Sequence, residues 1–104
     1  MATTKGTCCG GLSKADEPDG KTHELCNTVK PKAQEMADTT FEAFTPIRHK
    51  KQVVSGTNHF IKVHVGKDDY VHLRVYEKLP CHGGDVELTG IQVSKTLDDE
   101  IAFF

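Results

Sequence analysis

Apolar residues recur at helical spacing in one stretch of the chain. Leu25, Val29, Ala33, Met36 and Ala37 form a single stripe, with Lys and Glu on the other face. This predicts an amphipathic helix from about Lys21. Its start falls between Glu17 and Thr22, where several residues can cap it. Pro31 lies inside the helix. It cannot donate to the carbonyl of Asn27 and its ring crowds that turn, at a cost of about 3 kcal/mol, so a kink is expected and packing must hold the helix. After Thr45-Pro46 the period changes to two. Phe44 to Gln52 leads into Val53-Val54-Ser55-Gly56, and Thr57 to Val65 follows, with His59, Ile61, Val63 and Val65 alternating with Asn58, Phe60, Lys62 and His64. Gly66-Lys67-Asp68-Asp69 reads as a turn. Val71, Leu73 and Val75 then alternate with His72, Arg74 and Tyr76. Pro80 to Asp85 is a loop containing Gly83-Gly84, and Val86 to Ser94 is a last strand whose phase slips near Gly90, the mark of a bulge. The tail from Leu97 ends in Phe103-Phe104 and is expected to dock.

These elements add up to an α+β domain, one helix packed across an antiparallel meander of three or four strands, with a further short strand near Gly10 to Ser13. Pairing Val65 with Val71, Val63 with Leu73 and Ile61 with Val75 puts all six on the helix side and implies a five-residue turn, Gly66 to Tyr70. The same register sets His64 beside His72 on the open face, where solvated histidines are expected.

At 104 residues the chain is one domain with one modest core. It is 37% hydrophobic and 27% charged, which argues against disorder over its whole length. Thirteen basic against 15 acidic residues give a net charge of −2, without the basic surplus of a nucleic-acid binder. No apolar run approaches the ~20 residues of a membrane span, and residues 1–20 contain no apolar signal segment, so a cytoplasmic or nuclear protein is expected. Residues 1–8 are expected to be a flexible N-terminal extension.

Chemistry is sparse. Cys8, Cys9, Cys26 and Cys81 read as free thiols, with Cys26 a small core residue. A zinc site from Cys8, Cys9, His23 and Cys26 lacks any C-x-x-C spacing. Cys81-His82 are sequence neighbours and point apart in extended chain, so they make no nucleophile–base pair. Asp68-Asp69 and Asp98-Asp99-Glu100 read as solvated. With no phosphate loop and no H-E-x-x-H, the chain is expected to be no enzyme and to need no metal or cofactor. A thiol-based redox or metal module using the four cysteines is a minor alternative.

What stands out is two apolar loop ends. Gln52-Val53-Val54-Ser55-Gly56 puts two valines at a hairpin tip, and Leu79-Pro80 repeats the oddity at another. Alternate turns of a meander share one end of the sheet, so both fall together, and the arm near Gly10 can reach the same end. An exposed apolar tip usually has a partner.

Here the sequence resembles the stefins, the cytosolic branch of the cystatin family of cysteine-protease inhibitors. Gln52-Val53-Val54-Ser55-Gly56-Thr57-Asn58-His59-Phe60-Ile61-Lys62-Val63 is similar to the family's Q-V-V-A-G-T-N-Y-F-I-K-V. Val71 to Tyr76 with Leu79-Pro80 resembles the next strand and second loop, Asp98-Asp99-Glu100 with a terminal Phe resembles the tail, Val29-Lys30-Pro31 also occurs in stefins, and Cys9-Gly10 resembles the short trunk ending in glycine. Ser55 stands for the usual Ala, and Cys81 follows Leu79-Pro80 where the family varies.

The resemblance implies a cystatin-like fold, one helix across a four- to five-stranded antiparallel sheet. It implies a reversible, tight-binding competitive inhibitor of papain-like cysteine proteases, such as papain and the lysosomal cathepsins L, S, H and B. It implies a wedge of three parts, with protease-binding residues Gly10, Gln52, Val53, Val54, Ser55, Gly56, Leu79 and Pro80, and secondary contacts at Cys9, Cys81 and His82. A monomer able to form a domain-swapped dimer is expected. The alternative is a structural or cross-linked cytosolic protein in which inhibition is vestigial.

Overall fold

The structure is a computed structural model describing residues 16–79, 85–102 and 104. The expected strand at Gly10–Ser13, the extension 1–8 and the loop residues Pro80 to Gly84 lie outside the described residues.

Helix α1 (Gly20–Ala37) starts where Asp19 caps it: the carboxylate accepts from Thr22 N–H at 2.9 Å and from Thr22 Oγ1 at 3.0 Å. It ends at Asp38 in the left-handed conformation (φ 58°), whose neighbour Thr39 donates back to Gln34 O. The helix runs on through an exposed Pro31. Thr22, Leu25, Cys26, Val29 and Ala33 form its buried stripe. Met36, expected in that stripe, is exposed; the last turn packs through Ala37 instead, one position further round the helix.

Four strands follow: β1 (Thr45–Val54), β2 (Gly56–Gly66), β3 (Asp69–Glu77) and β4 (Val86–Lys95). They form an antiparallel sheet in the order β1-β2-β3-β4, and Asp16 adds an antiparallel bridge to His49 on the outer side of β1. The helix stripe lies on Ile61, Val63, Val65, Val71, Leu73, Val75 and Leu88. Each such fully buried side chain contributes about 1.5–3 kcal/mol of transfer free energy.

The register of β2 on β3 differs from the sequence expectation by two residues. Val63 faces Val71, Ile61 faces Leu73 and His59 faces Val75. The reason is the turn. Gly66 (φ 155°) and Lys67 (φ 35°) reverse the chain within two loop residues, Lys67-Asp68, so β3 starts at Asp69 rather than after Tyr70. A slip of two keeps every side chain on its face. His64 therefore meets Tyr70, with ring centroids 5.0 Å apart, and His72 faces Lys62. His72 is fully buried rather than solvated. The bulge expected near Gly90 is present: β4 slips opposite Arg74/Val75, and Thr89 Oγ1 donates to Arg74 O at 3.1 Å to restore a bond there.

His72 is buried because the tail covers the sheet face opposite the helix. Lys62 Nζ donates to the carbonyls of Leu97 and Asp99, and Lys50 Nζ donates to that of Ile101 at 2.7 Å. Arg74 donates to Phe104 O and stacks near its ring, and the Phe104 ring meets Phe60 edge-on at 5.6 Å. Of the acidic tail residues, Asp99 is half-buried and caps Thr96 N–H at 2.8 Å; Asp98 and Glu100 stay exposed.

Candidate functional site

The β1–β2 hairpin closes on one unpaired residue. Val53 faces Thr57, Val54 faces Gly56, and Ser55 stands alone at the tip. So tight a reversal needs an unusual backbone. Gly56 supplies it with φ 128°, and a Cβ there would lie 2.6 Å from Glu77 O and 2.7 Å from Tyr76 Oη. Gln52 is turned in and accepts from Asn58 Nδ2 at 2.9 Å. Tyr76, on β3, donates its hydroxyl to Ser55 O at 2.5 Å. Val53 has no such berth and is 62% exposed.

The root of this hairpin is a polar chain, buried at its two histidines and open to water at its lysine end. His49 Nε2 and His59 Nδ1 are 2.8 Å apart with stacked rings, His59 Nε2 is 3.0 Å from Glu77 Oε1, and Lys21 Nζ is 2.5 Å from Glu77 Oε2. With both rings neutral the bonds run one way: His49 Nε2–H donates to His59 Nδ1, and His59 Nε2–H donates to Glu77. Burial, reinforced by its neighbour His59, pushes His49 down to about 4. Burial also lowers His59, against the pull of Glu77. Lys21 holds Glu77 below the ordinary carboxylate range. The chain belongs to α1, β1, β2 and β3 at once, so it pins the helix start to the base of the hairpin.

The β3–β4 hairpin opens at the same end. Thr57, just past the first tip, faces Glu77, and Leu79, two residues further along, is 38% exposed. Lys78 N–H donates to Asp85 O at 2.9 Å, which closes the neck of the second loop. The structure thus brings Gln52, Val53, Val54, Ser55, Gly56 and Leu79 to one end of the sheet. Gly10, Cys9, Pro80, Cys81 and His82 lie outside the described residues.

Cys26 sits in the core, its thiol pushed up to about 12 by burial, which disfavours the thiolate that a nucleophile or metal ligand needs. His23, one turn before it, is exposed to solvent while Cys26 is buried beneath the helix. Among the described residues no His, Cys, Asp and Glu group has metal-binding geometry, and no helix is long and apolar enough to cross a membrane.

Sequence reading missed Tyr76 and Glu77 as neighbours of the tip. The signal was the register: the two-residue slip set Tyr76 opposite Phe60, whereas it faces Asn58 beside the hairpin end.

A single helix on a four-stranded meander, with an apolar hairpin tip at one sheet end, defines a class, and sequence comparison agrees with it. The model of the cystatin domain matches residues 10–98. The chain belongs to the cystatin family, in its stefin-type branch, a family of protease inhibitors and not of enzymes. It is 54% identical to a cystatin-B of Oplegnathus fasciatus over 92% of this chain and 96% of that one. It is 44% identical to a cystatin-B of Paralichthys olivaceus, over 92% and 98%. A leukocyte cysteine proteinase inhibitor 1 of Sus scrofa matches at 44% identity, over 91% and 92%.

Proposed function

We propose that the chain inhibits papain-like cysteine proteases reversibly, by seating the sheet end formed by Gln52–Gly56 and Leu79–Pro80 in the active-site cleft. The observation that carries this reading is Val53, a large apolar side chain held in water at the tip of a hairpin braced by the Asn58–Gln52 side-chain bond and by the Tyr76 hydroxyl on Ser55 O. Such a side chain gains about 1–3 kcal/mol when a cleft covers it. Leu79 adds a second apolar contact at the same end. Because the β1–β2 ladder fixes the first hairpin up to Val54 and Gly56, little ordering cost opposes its binding.

The first strand bridge supports a third contact. Asp16 pairs with β1 in antiparallel sense, so at that point the chain's N-terminal direction is toward the hairpin tip. The trunk ending at Cys9-Gly10 is the third contact in this proposal. Glycine there lets backbone pass close to a cleft wall that a Cβ would strike. The wedge fills the groove on both sides of the reactive thiolate without presenting a carbonyl to the sulfur at attack distance. The chain therefore leaves intact. Cysteine proteases with an accessible cleft, the lysosomal cathepsins among them, are the targets this geometry fits.

Steady-state inhibition tests the reading. Papain hydrolysing a small peptide substrate should show competitive inhibition at stoichiometric chain, with activity restored on dilution, and trypsin should be unaffected. Full papain activity at several-fold excess of folded chain would overturn it.

A further inference from the structure

We propose that Tyr76 is a positioning residue for the inhibitory hairpin: its hydroxyl latches the Ser55 carbonyl and so fixes the pose in which Val53 meets the protease. This rests on the reading of Gln52–Gly56 as a protease contact.

Three observations converge on it. The hydroxyl donates to Ser55 O at 2.5 Å, and Ser55 is the one tip residue outside the β1–β2 ladder. The Tyr76 ring lies over Gly56, where a Cβ would be 3.0 Å from Cε1 and 2.7 Å from Oη. Ring and hydroxyl therefore hold both the tip carbonyl and the residue that makes the reversal. Finally, Tyr76 belongs to β3, not to the hairpin it braces, and β3 runs directly on to Leu79. The bond thus ties the first loop to the strand that carries the second, and the two move as one body.

The tip needs such help. Val53 and Val54 are β-branched and favour extended backbone, so without a tether the tip would sample several conformations. The bond is exposed in the free chain, where water competes with it. A protease seated on the tip excludes that water, and the same bond then strengthens. Its effect should therefore appear in the complex, as slower dissociation, more than in the stability of the free chain.

The test is Tyr76→Phe in the full chain, which keeps the ring and removes only the hydroxyl. Three quantities are read: association and dissociation rates with papain, amide hydrogen exchange at Gly56 and Thr57 in the free protein, and the melting temperature. The expected result is dissociation about five- to tenfold faster, the effect of one neutral hydrogen bond, with faster exchange at the tip, an unchanged association rate and an unchanged melting temperature. If the parent chain inhibits papain and the variant dissociates at the parental rate, the latch is wrong while the inhibitory reading stands. If the variant melts well below the parent and weakens in proportion, Tyr76 is a general packing residue and the assignment falls. If the parent itself does not inhibit papain, both readings fall, and faster tip exchange would then report a local brace with no part in recognition.

Discussion

Two residues at the hairpin tip do opposite work, and single substitutions separate them. Gly56 is structural: its φ of 128° and the 2.6 Å gap to Glu77 O leave no room for a methyl group. Gly56→Ala should lower stability by more than about 1 kcal/mol, read as a reduced urea midpoint at unchanged slope. Val53 is 62% exposed and supports nothing in the free fold. Val53→Asp should melt like the parent yet inhibit papain at least tenfold less, measured as the inhibition constant, because a carboxylate would be carried into an apolar contact. The tip was legible in the sequence, since valines where a turn should be polar are visible without coordinates. The role of Tyr76 was not, because it depends on a register that the turn chemistry of Gly66 and Lys67 decides.

Among the elements, α1, β1, β2 and β3 meet in the chain His49–His59–Glu77–Lys21. Asp16 and Asp19 also act on His49, and Lys51 acts on both rings. His72, packed between Lys62 and Gln92, is likewise buried and pushed down to about 4. These three histidines have lowered folded-state affinity for protons, so the unfolded chain binds more protons once pH falls below the ordinary histidine value near 6.5. Stability should be full above that pH and decline steadily toward pH 4. Urea unfolding between pH 8 and 4 checks this, and a flat profile from 7 to 4.5 would contradict it. The helix and the meander were readable from periodicity, because the helix stripe and the alternation on β2 and β3 are long and regular, although periodicity left the count at three or four strands. The fate of His59 and His72 was not. Alternation assigns a face, but only the tail and the helix start determine whether that face is covered.

For the molecule as a whole, the tail closes the sheet face that the helix leaves bare. Ile101 is buried, and Phe104 packs on Phe60. Ending the chain at Thr96 should cost about 2–3 kcal/mol of burial, seen as a melting temperature lower by roughly ten degrees or more, while papain inhibition persists because the bonds that seat the tail run to Lys50, Lys62 and Arg74 and not to Val53 or Leu79. The central claim is that one sheet end occupies a protease cleft. Its most direct measurement is the rate at which iodoacetamide alkylates the active-site thiol of papain, followed by mass spectrometry with and without stoichiometric chain. The thiol should be protected in proportion to the fraction bound, the chain recovered uncut, and protection lost with Val53→Asp. Alkylation at the rate of free papain while the chain is bound would contradict it.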